Sequence, residues 1–138
     1  MGAKCWALLP AAGVGVRMRS VLPKQYLQLA GKPVIQHTIE RFTRTPEISG
    51  TVVVLHAEDQ YWPEIDLSEP VMTVNGGPER AQSVLAGLDF IAGIAEPEDW
   101  VLVHDAARPC VRIDDIQALI EKAGRHLVGG ILATPVGD

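Results

Sequence analysis

Cysteine, basic charge and long apolar runs are all scarce in this sequence. Two cysteines, Cys5 and Cys110, and four histidines are too far apart to show any metal-ligand spacing. Cys5 falls within an apolar stretch, where a thiol packs as a small hydrophobe, and this cysteine usage fits a reducing, cytoplasmic setting. No apolar run is long enough to cross a bilayer, and the short one after Lys4 lacks the form of an export leader, so neither is expected. Lys and Arg number 12 against 17 Asp and Glu, a net charge of −5, which argues against a general nucleic-acid-binding face. Repeats and low-complexity segments are absent. With 138 residues, 47% of them hydrophobic, the chain supports one core, and residues 1–138 are expected to form a single domain.

The few cations that are present cluster. Residues 1–50 carry a net +5 and the remaining 88 a net −10. At the centre of the positive part, Leu8 and Leu9 run into Pro10, Ala11, Ala12, Gly13, Val14 and Gly15, followed by Arg17, Arg19 and Lys24. Glycines let backbone N–H groups approach phosphate oxygens, and Arg and Lys neutralise charge that amides only solvate. The loop is not a Walker element, because no Gly-Lys-Ser/Thr closes it, and Met18 stands where a dinucleotide fingerprint has its third glycine. For the glycines alone, a plain strand-to-helix turn is an equal reading.

Strands and helices alternate along the chain. Residues 5–9 read as a buried strand, and 27–29 as a short extended piece closed by a turn at 31–33. Val34, Ile35, Thr38, Ile39 and Phe42 repeat at helical spacing. Val52 to Leu55 form a continuous apolar run, β-branched in its three valines, that suits a strand covered on both faces, hence a parallel sheet. A third strand is expected over 71–74. A helix follows with Pro78 at its first position, Glu79 in its first turn, and Val84, Leu85, Leu88, Ile91 and Ala92 on its buried side. Residues 100–104 give a fourth strand, Ile113 to Leu127 a last helix, and 131–134 a fifth strand. The order predicts an α/β fold, a doubly wound and mainly parallel Rossmann-like sheet, which binds ligands beyond the carboxyl ends of its strands.

Three loops are expected there. The first is the cradle. The second, Gly76, Gly77, Pro78, Glu79, Arg80, Ala81, Gln82 and Ser83, joins a close-approach backbone to a helix N-terminus and a guanidinium, and suits a base or phosphate. A plain turn also accounts for its glycines. The third holds Asp105 and Arg108, and Asp105 serves equally as a ligand for phosphate-bound Mg²⁺, a helix cap or a partner of Arg108. An oxidoreductase of Rossmann type would instead want an acid ending the second strand, near Glu58 and Asp59.

Together the segments Pro10-Ala11-Ala12-Gly13-x-Gly15-x-Arg17-Met18, Pro23-Lys24-Gln25-Tyr26, Gly76-Gly77-x-Glu79-Arg80-x-x-Ser83-Val84 and Val103-His104-Asp105-Ala106-Ala107-Arg108-Pro109 resemble the 2-C-methyl-D-erythritol 4-phosphate cytidylyltransferase family. The resemblance implies a nucleotidyltransferase that moves a cytidylyl group from CTP to methylerythritol phosphate and releases pyrophosphate, in non-mevalonate isoprenoid biosynthesis; the alternatives are another nucleotidyltransferase, acting on a sugar phosphate or a molybdopterin, and a non-catalytic nucleotide-binding module. The resemblance implies Arg17 and Lys24 as catalytic cations. It implies nucleotide contacts at Pro10, Ala11, Ala12, Gly13, Gly15, Gly76, Gly77, Arg80, Ser83, Asp105, Ala106 and Arg108. It further implies Mg²⁺ near Asp105 and a homodimer for the complete protein. Two positions depart from the family pattern: Val16 replaces a polar or basic residue, and Pro78 has no N–H to offer a base. Family members continue beyond Asp138 with acceptor-site residues, so the 138-residue chain alone is expected to bind nucleotide without catalysing transfer.

Overall fold

A computed structural model describes residues 2–13 and 22–137. In chain order the elements are β1 (Cys5–Ala11), a 3₁₀ turn at Lys24–Tyr26, β2 (Gln28–Leu29), β3 (Lys32–Pro33), α1 (Val34–Thr43), β4 (Ile48–Leu55), a 3₁₀ turn at Trp62–Glu64, β5 (Met72–Asn75), α2 (Arg80–Ala92), β6 (Trp100–Val103) and α3 (Ile113–Ala123). The main sheet has the order β5-β4-β1-β6, and all its pairings are parallel. The expected α/β architecture is what the chain adopts. The chain steps outward from β1 to β4 and β5, then returns to the other side of β1 for β6. That reversal opens a crevice at the carboxyl ends of the strands.

Side chains alternate across a strand, so each of the two central strands supplies both layers. Ala7, Leu9 and Ala11 of β1, with Val53 and Leu55 of β4, pack beneath Ile35, Ile39 and Phe42 of α1 and Ile116 of α3. Trp6, Leu8, Val52 and Val54 face the other way, toward Ile91 of α2. Leu8, Leu9 and Val52 to Val54 have no exposed surface, and each such burial is worth about 1.5–3 kcal/mol against the unfolded chain. At the amino end of β6, Asp99 accepts hydrogen bonds from Trp6 Nε1 (3.0 Å), Lys4 N (2.8 Å) and Glu96 N (2.9 Å), which pins this end against β1. The Trp6 bond leads in holding the Asp99 carboxyl below its usual range.

Four sequence expectations need correction. α2 starts at Arg80 with Glu79 at its N-cap, so Pro78 lies two residues before the helix instead of at its first position. Its inward face is Ser83, Gly87 and Ile91, while Leu85, Leu88 and Ala92 are exposed and Val84 half-buried. The reason is closeness: a Cβ at Gly87 would stand 2.6 Å from Leu8 Cδ1, so no side chain fits at that point of the helix–sheet contact. The expected strand at 131–134 has no regular structure, because a strand needs a ladder partner. A groove of about 430 Å³ is bounded by Val101 to His104 and by Gly130 to Leu132, and no pairing bridges it. α3 likewise ends at Ala123, short of the fully exposed Leu127.

Candidate functional site

At the carboxyl end of β1, Pro10, Ala11, Ala12 and Gly13 pass over the sheet and form one wall of a cavity of about 240 Å³. The 3₁₀ turn at Lys24–Tyr26 sits beside them, with its first residue exposed and its next two buried. Gln25 Nε2 donates to Ala11 O (2.9 Å) and Gly13 O (3.0 Å). The Tyr26 hydroxyl donates to Asp59 Oδ2, and its ring meets Tyr61 at 5.1 Å between centroids. Asp59 Oδ1 also accepts from Tyr61 N and Trp62 N, at 2.8 and 2.9 Å. Burial, and then the Asp59 carboxylate, push the Tyr26 phenol well above its ordinary range. Asp59 is thus committed to this turn and is not poised for a ribose, which takes away one of the two acids that a nicotinamide-binding reading would draw on.

The second loop leaves β5. Gly76 N donates to Leu55 O at 2.7 Å, and a Cβ at Gly76 would run into Ser83 Oγ, Ala12 Cβ and Val54 Cγ1. Gly76 is therefore a packing glycine that lets this loop lie against the first one, and it does not line the cavity. Gly77, Pro78, Glu79, Arg80 and Ser83 do. Gln82 Oε1 accepts from Glu79 N (3.0 Å), half of a capping box that fixes where the helix begins. Ser83 is buried and its Oγ donates to Gly77 O at 3.3 Å, so it braces the loop from beneath.

The third loop leaves β6 and is held from both sides. Ala106 N donates to Pro10 O (3.1 Å), while Thr38 Oγ1 of α1 donates to Ala106 O (2.7 Å). Asp105 then stands between two guanidiniums. Arg80 reaches its Oδ1 through Nε (3.0 Å) and Nη2 (2.9 Å), and Arg108 Nε lies 3.4 Å from Oδ2. Both arginines are largely exposed, and such pairs contribute only about 0–1 kcal/mol, so a phosphate can displace the carboxylate at small cost.

These walls bring together most of the residues singled out in the sequence. Pro10, Ala11, Ala12, Gly13, Lys24, Gly77, Arg80, Ser83, Asp105, Ala106 and Arg108 all line the cavity. Gly15 and Arg17, with Val16 and Arg19, lie outside the described residues. Other cations of the basic half belong elsewhere: Lys32 and Arg44 pair with Glu40 at 2.7 and 3.6 Å. Sequence reasoning gave no site role to Gln25 and Ala107, although both sit inside the quoted motifs, and it placed Pro78 and Glu79 in the second loop without naming them as contacts. Among the described residues the cavity's charges are Lys24, Arg80 and Arg108 against Glu79 and Asp105, a balance that favours an anion. No cluster of three or more His, Cys, Asp or Glu among the described residues could hold a metal by itself. One carboxylate beside two arginines fits a divalent ion carried in on phosphates, and does not fit a resident one. No helix among the described residues is long and apolar enough to cross a membrane.

Comparison with known proteins follows the same lines. The family model described as IspD: 2-C-methyl-D-erythritol 4-phosphate cytidylyltransferase matches residues 5–138. A protein of that name from Vibrio vulnificus (strain CMCP6) is 52% identical over 134 residues, which cover 96% of this chain and 56% of that protein. Another, from Ectopseudomonas mendocina, is 50% identical over 142 residues, covering all of this chain and 60% of the relative. The chain thus spans somewhat over half the length of the curated relatives it matches. A crystal structure of 4-diphosphocytidyl-2C-methyl-D-erythritol synthase superposes with a TM-score of 0.87 at 38% identity, covering the whole chain and 62% of that structure. The Francisella tularensis cytidylyltransferase gives a TM-score of 0.74 at 32% identity, covering 91% and 54%. On its family match, its relatives and its fold, the chain belongs to the 2-C-methyl-D-erythritol 4-phosphate cytidylyltransferase family.

Proposed function

We propose that this chain supplies the nucleotide site of an enzyme that transfers a cytidylyl group from CTP to 2-C-methyl-D-erythritol 4-phosphate, releasing pyrophosphate, in cytoplasmic non-mevalonate isoprenoid biosynthesis. The observation that carries this reading is the convergence of three loop segments and Lys24 on one cavity whose cations outnumber its carboxylates. A phosphate monoester acceptor is already an oxyanion and needs no general base, so such a reaction rests on positioning and on charge neutralisation. Lys24 stands on the cavity wall and would stabilise negative charge that builds on the α-phosphate and the departing pyrophosphate. Arg17 is assigned the same role from the family pattern. Ala11 to Gly13 and Gly15 would hold ribose and phosphates, while Gly77, Arg80 and Ser83 would frame the cytosine, with Gly76 acting through packing. Asp105 would reach a divalent ion travelling with the triphosphate, directly or through water, once its arginines turn to phosphate. When bound, Mg²⁺ supplies charge neutralisation on the phosphate oxygens. A homodimer is proposed for the complete protein.

Calorimetric titration of the chain with CTP, ATP and NAD, each with and without Mg²⁺, tests the reading. CTP should bind most tightly and should need the ion. Equal or tighter binding of ATP or NAD would reassign the site to another nucleotide class.

A further inference from the structure

Gln25 is uncharged, 5% exposed, and adjacent in sequence to Lys24 on the cavity wall. Its side-chain amide carries two N–H groups, and both are used, on carbonyls 14 and 12 residues away. Its own turn needs neither bond, since Tyr26 N and Leu27 N are already satisfied by Pro23 O and Lys24 O. What the amide does is bridge two walls of the cavity. The oxygens it holds are Ala11 O and Gly13 O, whose lone pairs would repel a phosphate if they turned inward. Because a trans peptide sets C=O and N–H on opposite sides, fixing the Ala11 carbonyl also fixes the direction of the Ala12 N–H. The far side of the same turn is anchored independently through Tyr26 and Asp59. Burial and that carboxylate keep the phenol protonated, so it remains a donor.

We infer that Gln25 is a positioning residue for triphosphate recognition. Its amide keeps the Ala11 and Gly13 carbonyls turned from the anion and sets Lys24 beside them on the cavity wall, while Tyr26 and Asp59 steady the other end of the turn. The inference rests on the nucleotide-binding reading and concerns chiefly the phosphates, because both side-chain bonds of Gln25 go to the first loop and neither goes to the loop proposed to frame the base. A glutamine that merely filled space would affect every ligand of the cavity alike.

The test compares CTP with cytidine, each with Mg²⁺, by NMR titration of the chain. Gln25→Met keeps length and burial and removes both donors. CTP affinity should fall by about tenfold, the scale of losing one to two hydrogen bonds, and cytidine affinity should stay within about twofold. Tyr26→Phe keeps the ring against Tyr61 and should show the same selectivity with a smaller loss. Gln25→Asn, too short to reach both carbonyls, decides the matter by the same comparison if the Met variant does not fold. Equal losses for both ligands, or no loss for CTP, would overturn the inference. Failure of the nucleotide reading shows elsewhere: the unsubstituted chain would bind CTP no more tightly than cytidine.

Discussion

Gly87→Ala probes how α2, which carries Arg80 and Ser83 to the cavity, is seated on the sheet. The added Cβ would stand 2.6 Å from Leu8 Cδ1, 2.9 Å from Leu8 Cγ and 3.0 Å from Val54 Cγ2, where carbon atoms prefer about 3.5–4.0 Å. Leu8 and Val54 are completely buried and packed between sheet and helix, so neither has room to yield without moving its neighbours. Overpacking of this kind costs about 1–3 kcal/mol. Replacing a mid-helix glycine by alanine returns about 1 kcal/mol through helix propensity. The net is a loss of about 1 kcal/mol, or roughly 3–5 °C in melting temperature for a chain of this size. Thermal melts followed by circular dichroism measure it. Gly93→Ala is the control: that Cβ would meet only Phe90 O, at 3.4 Å, and the melting temperature should not fall. A helix lifted at Gly87 also carries Arg80 away from Asp105, so CTP affinity should drop with stability. A Gly87→Ala chain that melts at or above the parent temperature would refute the argument that close approach, and not propensity, governs this position.

Lys24→Ala, made in a transfer-competent protein bearing this site, should lower kcat by about 10²-fold or more while KM for CTP changes less; a loss confined to KM would make Lys24 a binding residue only. Asp99, whose carboxyl is held low by Trp6 and two backbone N–H groups, contributes stability above the ordinary carboxylate range near pH 4 and loses it as pH falls through the depressed value. Asp99→Asn should therefore melt lower than the parent at pH 7, with the gap closing under acid; a gap that stays constant with pH counts against the carboxylate. Tyr26, raised by burial and by Asp59, contributes stability that is complete below about pH 10 and declines as pH rises further. Tyr26→Phe should cost about 1–2 kcal/mol at neutral pH in urea unfolding, and a difference that persists above pH 11 would argue against it.

Much of the fold was readable because burial on both faces leaves a plain mark. The run Val52 to Leu55 has no polar alternation, and it became the strand at the heart of the parallel sheet. Residues 131–134 are nearly as apolar, yet composition cannot say whether a ladder partner stands alongside, and here none does. In α2 Ile91 faces inward as expected, but Leu85, Leu88 and Ala92 point outward. A helix pressed hard on a sheet selects Ser83 and Gly87 for its contact, leaving Leu85 and Leu88 outside, and a rule that equates apolar with inward reverses the face. Within the site, chain order and motif chemistry brought Lys24, Arg80, Asp105 and Arg108 together before any coordinates did. Gly76 was read as making room for a ligand, whereas the room is for Ala12, Val54 and Ser83. Gln25 was invisible as a site residue because its partners lie beyond the reach of any local pattern.

The Arg80–Asp105 pair has a mechanical side. Arg80 follows β5 and Asp105 follows β6, which are the two outermost strands of the sheet. Neighbouring strands lie about 4.8 Å apart, so the edges joined by this single contact are separated by about 14 Å at the level of the backbone. At about 0–1 kcal/mol for so exposed a pair, the contact is a light tether between those margins. A phosphate that took Arg80 from Asp105 would release it. Amide hydrogen exchange at β5 and β6, compared with the cavity empty and filled, would then read the release at a distance from the ligand.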